Sequence, residues 1–330
     1  MTDPIEQRDR PSGPGPLPVP PVPSTFARER RQLVNIAYRL LGSLSEAEDA
    51  VQETYARWYA MTPQQRRAIE RPAAWLTRVV GRVCLNVLGS ARARRENYVG
   101  AWLPEPIPGP ARWPGGPAVE AADPADRVTL DETVTMAFLV VLESMTPAER
   151  VVLVLHDVFR YPFAEVARIV GRTPAACRQL AVSARARVRA SPVAGGRPEA
   201  GQAAVVREFR IAWEAKDVGA LVGLLDPEVR ATGDGGGLAP TLPHPVTGAG
   251  DLARGLLWLR ERQPELVLRE RAVNGRPGLV AEQDGTVVTV YAFGFAGERI
   301  THLWAVRNPE KLRPWRAAPA PGRGLPPRPV

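Results

Sequence analysis

The sequence predicts a multidomain chain: two all-α helical domains followed by one α+β domain. At 330 residues the chain exceeds the size of one typical domain. Stretches rich in Pro and Gly divide it, and the segments before residue 191 show helical periodicity. After residue 264, β-like runs are separated by Asn-Gly, Asp-Gly and Gly-Glu junctions, which are hairpin turn signals. Helices first and an antiparallel sheet afterwards favour an α+β class for the third domain.

The Pro-rich breaks set the predicted domain boundaries. Residues 1–23 and 313–330 lack apolar periodicity, so we expect disordered tails there. In chain order the prediction is a tail (1–23), a first helical domain (24–98), a linker that contains the string WLPEP (99–119), a second helical domain (120–191), an α+β domain (200–312) and a tail (313–330).

Composition excludes several classes of protein. The net charge of +8 suits a polyanionic partner, but only two of the 43 basic residues are Lys, and such Arg-rich usage is typical of a GC-rich genome. The two cysteines, Cys84 and Cys177, form no CxxC pair, so no disulfide framework, zinc site or other cofactor is predicted. With no secretory signal and no membrane-length apolar run, we expect a cytoplasmic protein.

The first helical domain carries local helix signals. Ser45 and Glu48 match a capping box that opens the helix EAEDAVQETYARWYA, and Gly42 predicts the end of the helix before it. Further on, an apolar stripe in steps of four predicts a long helix with Arg78 and Arg82 off the stripe. The stripe consists of Trp75, Val79, Val83 and Val87.

The second helical domain ends in a predicted helix-turn-helix. Thr146 and Thr173 each precede a Pro, which marks a helix start, and Gly171 marks a helix end. The last helix has one apolar stripe and a different, basic stripe, an arrangement typical of a DNA-reading helix. The apolar stripe is Cys177, Leu180, Ala181, Ala184 and Val188. The basic stripe is Arg178, Val182, Arg185 and Arg189, with Gln179 and Ser183 beside it.

Charge distribution supports the DNA-reading interpretation of this helix. Residues 120–170 hold nine acids and four bases, whereas residues 171–190 hold five bases and no acid. Codon bias raises Arg everywhere and does not explain so abrupt a change. Arginine neutralises phosphates and makes bidentate contacts to guanine in the major groove.

Taken in order, these strings resemble an extracytoplasmic-function RNA polymerase sigma factor that keeps only the second and fourth conserved regions. SEAEDAVQETYARWY is similar to the region-two helix that docks on the β′ clamp helices of core polymerase. The helix from RPAAWLTRVV onward is similar to the element that melts and reads the −10 promoter sequence. Residues 145–188 are similar to region four, which reads the −35 element and meets the β flap.

The resemblance implies roles for particular residues, which we state as expectations. The polymerase-binding residues are Glu48, Asp49, Gln52 and Glu53. The −10 residues are Trp75, Arg78, Arg82, Asn86, Arg92, Arg94 and Arg95. The −35 residues are Arg172, Thr173, Arg178, Gln179, Ser183, Arg185 and Arg189. Trp75 is expected in the core rather than as a stacking platform. Relatives often have Asp and Arg where Asn86 and Gly89 stand, and Ser-Arg in place of Val182-Ser183, so promoter preference is expected to differ.

Some of these sigma factors carry a C-terminal SnoaL-like domain, a cone-shaped α+β fold, and three strings resemble that subgroup. They are YVGAWLPEP, DGGG and NPEKL. The expected interdomain and regulatory residues are Trp102, Leu103, Asp234, Gly235, Gly236, Gly237, Asn308, Pro309 and Lys311. Relatives usually have Lys after DGGG, but here Leu238 follows. We expect Trp102 and Leu103 to pack against the third domain and to fix the spacing of the two DNA-binding domains.

Two other classes of function remain open at this point. A helix-turn-helix regulator with a ligand-sensing domain leaves the first helical domain unexplained. A SnoaL-like cyclase or isomerase needs a titratable pair, for which Asp234, His244 and His302 are the candidates. The preferred interpretation is a non-enzymatic sigma factor that binds core polymerase and promoter DNA, contacts no membrane, is regulated in cis and does not require an anti-sigma protein.

Overall fold

A computed structural model describes residues 24–96, 98–109, 134–191 and 201–316. The first helical domain is built from four helices. They are α1 (Ser24–Leu41), α2 (Leu44–Ala60), α3 (Pro63–Arg67) and α4 (Pro72–Glu96). The predicted tail 1–23 lies outside the described residues, as do residues 317–330 and the part of the linker beyond residue 109.

The turn between α1 and α2 differs from the sequence prediction by two residues. Gly42 ends α1 as predicted, with φ +71° and its N–H bonded to the carbonyl of Tyr38 at 2.8 Å. The residue that caps α2 is Ser43, whose hydroxyl accepts from the Glu46 N–H at 3.4 Å. The predicted capping box at Ser45 and Glu48 is therefore wrong, because Ser45 already lies inside the helix.

The buried stripe of α4 also differs from the predicted one. Residues in strict steps of four drift around a helix of 3.6 residues per turn, so three members of the predicted stripe only flank the core. Trp75, Val79 and Val87 are half-buried. The buried apolar side chains of α4 lie along one side of the helix instead, and are Leu76, Val80, Val83, Cys84 and Leu88.

The second helical domain contains the predicted helix-turn-helix. Its elements are α5 (Met136–Glu143), α6 (Pro147–Val152), a π-helical segment (Leu153–Val158), α7 (Phe163–Val170) and α8 (Pro174–Ala190). Thr146 and Glu149 form the capping box of α6, and Thr173 caps α8 through the Ala176 N–H at 3.1 Å. Gly171, with φ +69°, ends α7.

The third domain is α+β, as predicted. Its elements are α9 (Gln202–Glu214), α10 (Val218–Leu224), β1 (Leu225–Asp234), β2 (Val246–Thr247), α11 (Ala249–Arg262), β3 (Val267–Val273), β4 (Arg276–Gln283), β5 (Thr286–Ala296), β6 (Arg299–Val306) and α12 (Arg313–Arg316). The last helix corrects one boundary: residues 313–316 were assigned to a tail, but Trp315 is buried and its indole N–H donates to the Pro106 carbonyl at 2.8 Å.

The sheet is mixed rather than fully antiparallel. Its strand order is β2-β1-β6-β5-β4-β3, and β1 pairs with β6 in parallel. The expected antiparallel sheet is wrong at this pair. The partner of β1 is β6, the last strand of the domain, so no hairpin turn joins the two strands. Helices α9 to α11 cover one face of the sheet. The linker, α5 and α12 cover the other face.

The two helical domains share one hydrophobic core. Buried residues of α1, α2 and α4 join those of α6, α7 and α8 in a single cluster. Helix α5 lies at its edge and is apolar on all sides: Leu139 and Leu142 face this core, whereas Met136 and Ala137 pack on the sheet of the third domain. The described parts of the three domains are therefore packed together.

Candidate polymerase and promoter interfaces

Helix α8 presents its basic stripe away from its core. Cys177, Ala181 and Ala184 are buried, so the opposite side of the helix faces outward. Six of the seven predicted −35 residues are exposed: Arg172, Thr173, Arg178, Gln179, Ser183 and Arg189. The guanidinium carbon of Arg178 lies 5.7 Å from the ring centre of Phe163 at the start of α7, which orients this side chain.

Arg185 has an intramolecular partner. Its Nε and Nη2 donate to the two carboxylate oxygens of Asp157, each at 2.6 Å. These hydrogen bonds raise the pKa of the Arg185 guanidinium, and the side chain keeps about 41% of its exposure. A guanine contact by Arg185 must therefore replace one planar bidentate partner by another.

Ser183 and Arg187 meet the same buried carboxylate. The Ser183 hydroxyl donates to Glu149 Oε1 at 2.5 Å, and Arg187 Nε lies 3.7 Å from that oxygen. Burial tends to raise the pKa of Glu149, but hydrogen bonds from Ser183 and Thr146 outweigh it and lower that pKa. Arg187 was not among the predicted −35 residues, although it belongs to the same acid-free run.

The predicted −10 residues lie along α4. Arg78, Arg82 and Asn86 are exposed. Trp75 is half-buried and packs edge-on against Trp58, with ring centres 5.3 Å apart. The side chains of Arg92, Arg94 and Arg95 lie outside the described residues.

Helix α7 of the second domain covers the start of this −10 face. Arg82 donates to the carbonyl of Arg168 on α7 at 3.1 Å, and Thr77 shares a 2.8 Å hydrogen bond with the hydroxyl of Tyr161, just before α7. A cleft of about 400 Å³ remains between α4 and α7, lined in part by Trp75 and Arg78. In this conformation α7 therefore packs against the first turns of the predicted −10 face.

The predicted polymerase-binding face on α2 is exposed. It consists of Glu48, Asp49, Gln52 and Glu53. The opposite side of the helix is buried in the core through Ala47, Ala50, Val51, Thr54 and Trp58. Glu53 pairs with Arg57 one turn later, Oε1 to Nη2 at 2.5 Å, and both side chains are about half exposed. The acidic face therefore remains accessible to a basic partner.

Asp234 holds the linker to the third domain. Its fully buried carboxylate accepts from the Tyr98 hydroxyl at 2.6 Å, the Leu103 N–H at 2.8 Å and Lys311 Nζ at 2.7 Å. Lys311 also donates to the Leu103 carbonyl at 2.5 Å and lies 4.1 Å from the centre of the Trp102 ring. A buried charge with this many partners is well compensated.

The glycine run and the residues before Lys311 complete this contact. A Cβ on Gly235 would lie 2.0 Å from the Ala239 carbonyl oxygen, and a Cβ on Gly236 would lie 2.3 Å from Asn308 Nδ2. Gly236 and Gly237 have φ of +62° and +72°, and Val99 packs over Gly237. Asn308 Nδ2 donates to the Tyr98 hydroxyl at 2.8 Å, and Pro309 is half-buried in the turn that follows.

Several linker contacts have no local sequence signal. Glu105 is buried between α1 and α2, Tyr98 bonds Asp234, and Asn274 in the β3–β4 turn bonds both Ile107 and Tyr38. Asn274 has φ +50° and is 2% exposed, which is unusual for a hairpin turn residue. Its Asn-Gly dipeptide predicted the turn but not the contact.

The candidate acid–base residues of the third domain have other surroundings. The Asp234 carboxylate is taken up by the linker and Lys311, and His244 is exposed. His302 stacks on Trp304 with ring centres 5.4 Å apart, and burial, helped by Arg230, lowers its pKa. Among the described residues no group of three or more His, Cys, Asp or Glu is arranged to hold a metal ion.

Membrane insertion has no candidate helix in the described part of the chain, since none of its helices combines the length and the apolar character needed to span a bilayer.

Comparison with known families matches both helical domains. Residues 25–95 match the family of sigma-70 region 2, and residues 135–188 match that of sigma-70 region 4. These ranges coincide with α1 to α4 and with α5 to α8.

Whole-chain relatives extend the match to the third domain. The ECF RNA polymerase sigma factor SigJ of Mycobacterium tuberculosis (strain ATCC 25618 / H37Rv) is 38% identical over 317 residues, or 91% of this chain and 97% of SigJ. A probable ECF RNA polymerase sigma factor, SigI of the same strain, is 34% identical over 90% of this chain and 97% of its own length. The crystal structure of SigJ superposes with a TM-score of 0.69 at 36% identity, over 88% of this chain and 97% of that one. This chain therefore belongs to the extracytoplasmic-function RNA polymerase sigma factors.

Proposed function

We propose a division of labour for this sigma factor among its three domains. The acidic face of α2 docks on the β′ clamp helices of core polymerase, α4 opens and reads the −10 element, and α8 reads the −35 element. The second helical domain also meets the β flap. The chain itself catalyses nothing, since nucleotide addition belongs to the polymerase, and it acts in the cytoplasm with that enzyme.

The observation that carries this proposal is the asymmetry of α8. One side of the helix is buried through Cys177, Ala181 and Ala184, and the other offers arginines without a single acid on the helix. Such a face suits the major groove of DNA, where arginine pairs with guanine and phosphate.

We infer that the third domain regulates this activity in cis. Helix α7 covers the first turns of the −10 face, and the linker contact at Asp234 ties the helical domains to the third domain. Promoter melting requires this closed arrangement to open. An anti-sigma protein is then an optional second layer of control.

Reconstituted transcription tests the promoter assignment. Purified core polymerase is combined with the full chain on a template library, and start sites are mapped by sequencing. We expect the double variant R178A/R185A to lose specific starts while retaining polymerase binding, because these side chains lie on α8 and not on α2. R254A is the matched control, since Arg254 is an exposed arginine on α11. Equal loss of polymerase binding and specific starts in R178A/R185A would contradict the assignment.

A further inference from the structure

Glu105 in the linker lies on the turn that precedes the polymerase-docking helix. Its N–H donates to the Gly42 carbonyl at 2.8 Å, and its carbonyl accepts from the Tyr38 hydroxyl at 2.6 Å. The ring of Trp102 closes over the same turn, 2.8 Å from where a Cβ on Gly42 would stand. The linker backbone is thus fixed to the end of α1.

The Glu105 side chain reaches the first residue of α2. Its Oε2 accepts from the Leu44 N–H at 2.8 Å and from the Ser43 hydroxyl at 3.1 Å. Leu44 begins α2, so its N–H is one of the amides that the helix itself leaves without a partner. A carboxylate at this place also interacts favourably with the positive end of the helix dipole.

The third domain holds the same stretch of linker from the other side. Asn274 bonds Ile107 twice: its Oδ1 accepts from the Ile107 N–H at 3.2 Å, and its N–H donates to the Ile107 carbonyl at 2.9 Å. Its Nδ2 also donates to the Tyr38 hydroxyl at 2.8 Å, and Tyr38 in turn bonds Glu105. Two hydrogen bonds therefore connect Asn274, in a β-hairpin turn of the third domain, through Tyr38 to Glu105 at the start of α2.

We propose that Glu105 is a positioning residue through which the third domain controls the first turn of α2. When Asn274 and Asp234 hold the linker, Glu105 completes the N-terminal cap of α2. When the linker leaves the third domain, the carboxylate leaves with it, and the start of the helix frays. This inference rests on the proposed role of α2 in polymerase docking, and it adds a route of regulation separate from the covered −10 face.

Hydrogen exchange on the full chain tests the coupling. We expect E105A to exchange about fivefold faster in a peptide spanning residues 42–50, the change that matches the loss of a typical helix N-cap. E105Q retains an acceptor oxygen for the Leu44 N–H, so it should restore protection. E105A exchanging like the wild type while its thermal unfolding is unchanged would overturn the proposal.

A pair of equivalent hairpin turns provides the control for action at a distance. Asn274-Gly275 and Asp284-Gly285 both place a non-glycine residue at positive φ, but Asp284 is exposed. Replacement by Gly suits both backbones and removes both side chains. We expect N274G to speed exchange at residues 42–50 as E105A does, with D284G unchanged. Equal behaviour of N274G and D284G would refute control by the third domain.

Binding to core polymerase separates this inference from the function on which it rests. If the wild-type chain fails to bind core polymerase, the role of α2 is wrong, whatever the exchange shows. If the wild type binds, we expect E105A and N274G to bind about threefold more weakly, within the range of a lost cap, with E105Q and D284G near wild type. Unchanged or tighter binding by E105A and N274G would overturn the regulatory role of Glu105.

Discussion

At the scale of single residues, the carboxyl group of Glu105 carries a cost that depends on pH. Burial raises its pKa, although the Leu44 N–H, the Ser43 hydroxyl and the Lys311 ammonium oppose that effect. The Tyr38 hydroxyl donates a hydrogen bond to the backbone carbonyl of Glu105. The docked linker therefore binds a proton at Glu105 more readily than the undocked linker does, and docking is favoured where Glu105 is protonated.

We expect linker docking to strengthen as the pH falls through the raised pKa of Glu105. Above that pKa, the charged carboxylate weakens docking, and E105Q removes this contribution. Thermal unfolding of both chains across the pH range measures the difference, because other titrating groups cancel between them. Parallel curves for wild type and E105Q would exclude a titrating Glu105.

The buried pair of Lys311 and Asp234 predicts a large effect on stability. K311M leaves the fully buried Asp234 carboxylate without its countercharge, so the free energy of unfolding should fall by about 3–5 kcal/mol. Denaturant titration measures it. R313M, at the start of α12, removes an exposed partner of Glu310 and should cost less than about 1 kcal/mol. A similar fall in the free energy of unfolding in K311M and R313M would show that the buried pair contributes no more than the exposed one.

At the scale of elements, two glycines of α4 test whether α7 limits access to the −10 face. A Cβ on Gly81 would stand 2.9 Å from Cγ2 of the buried Ile169 on α7, whereas a Cβ on Gly89 meets nothing within 4 Å. Both replacements by Ala favour the helix by about 1 kcal/mol. We expect G81A to separate α4 from α7, and G89A only to add stability.

Small-angle scattering and DNA binding measure this separation. G81A should show a larger radius of gyration than G89A and bind fluorescently labelled single-stranded DNA of −10 length more tightly. The same radius and affinity in both variants would mean that α7 does not restrict the −10 face.

Helix starts and ends were predicted where the deciding residues are close in sequence. Thr146, Thr173 and Gly171 mark their helices through local bonds, so the helix-turn-helix followed from the sequence. The start of α2 did not. Ser43 and Ser45 each have a Glu three residues later, and the structure selects Ser43, which Glu105 also contacts. That contact spans 62 residues, which no local pattern reveals.

The same distinction holds for the sheet and for the candidate site. Turn signals report neighbouring strands, so the antiparallel pairs from β3 to β6 were foreseen and the parallel β1–β6 pair was not. Likewise, the basic face of α8 was visible in the sequence. The pairing of Arg185 with Asp157 and the cover of α7 over α4 depend on tertiary packing.

At the scale of the whole molecule, α5 connects DNA recognition to the third domain. Its Met136 and Ala137 are covered by the sheet and by Leu103, so their burial depends on the third domain. The rest of α5 belongs to the core shared by the helical domains. We therefore expect loss of the third domain to affect the second helical domain.

Deletion of residues 201–330 tests this dependence. The truncated chain exposes an apolar strip on α5, so we expect a lower melting temperature, a tendency to associate and an altered transcription rate on mapped promoters. Calorimetry, light scattering and reconstituted transcription measure these properties. A truncated chain with an unaltered transcription rate would count against regulation in cis.

The bond between Asp234 and the linker lies within one polypeptide, and this fixes its stoichiometry. A separate inhibitor can be outnumbered when a cell makes more sigma factor, but the restraint that we propose for the third domain cannot, because its local concentration is set by the tether and not by gene dosage. Doubling the number of chains doubles the number of third domains and the number of sigma domains together. Output should then rise in proportion to expression, without the threshold that titration of a free antagonist creates.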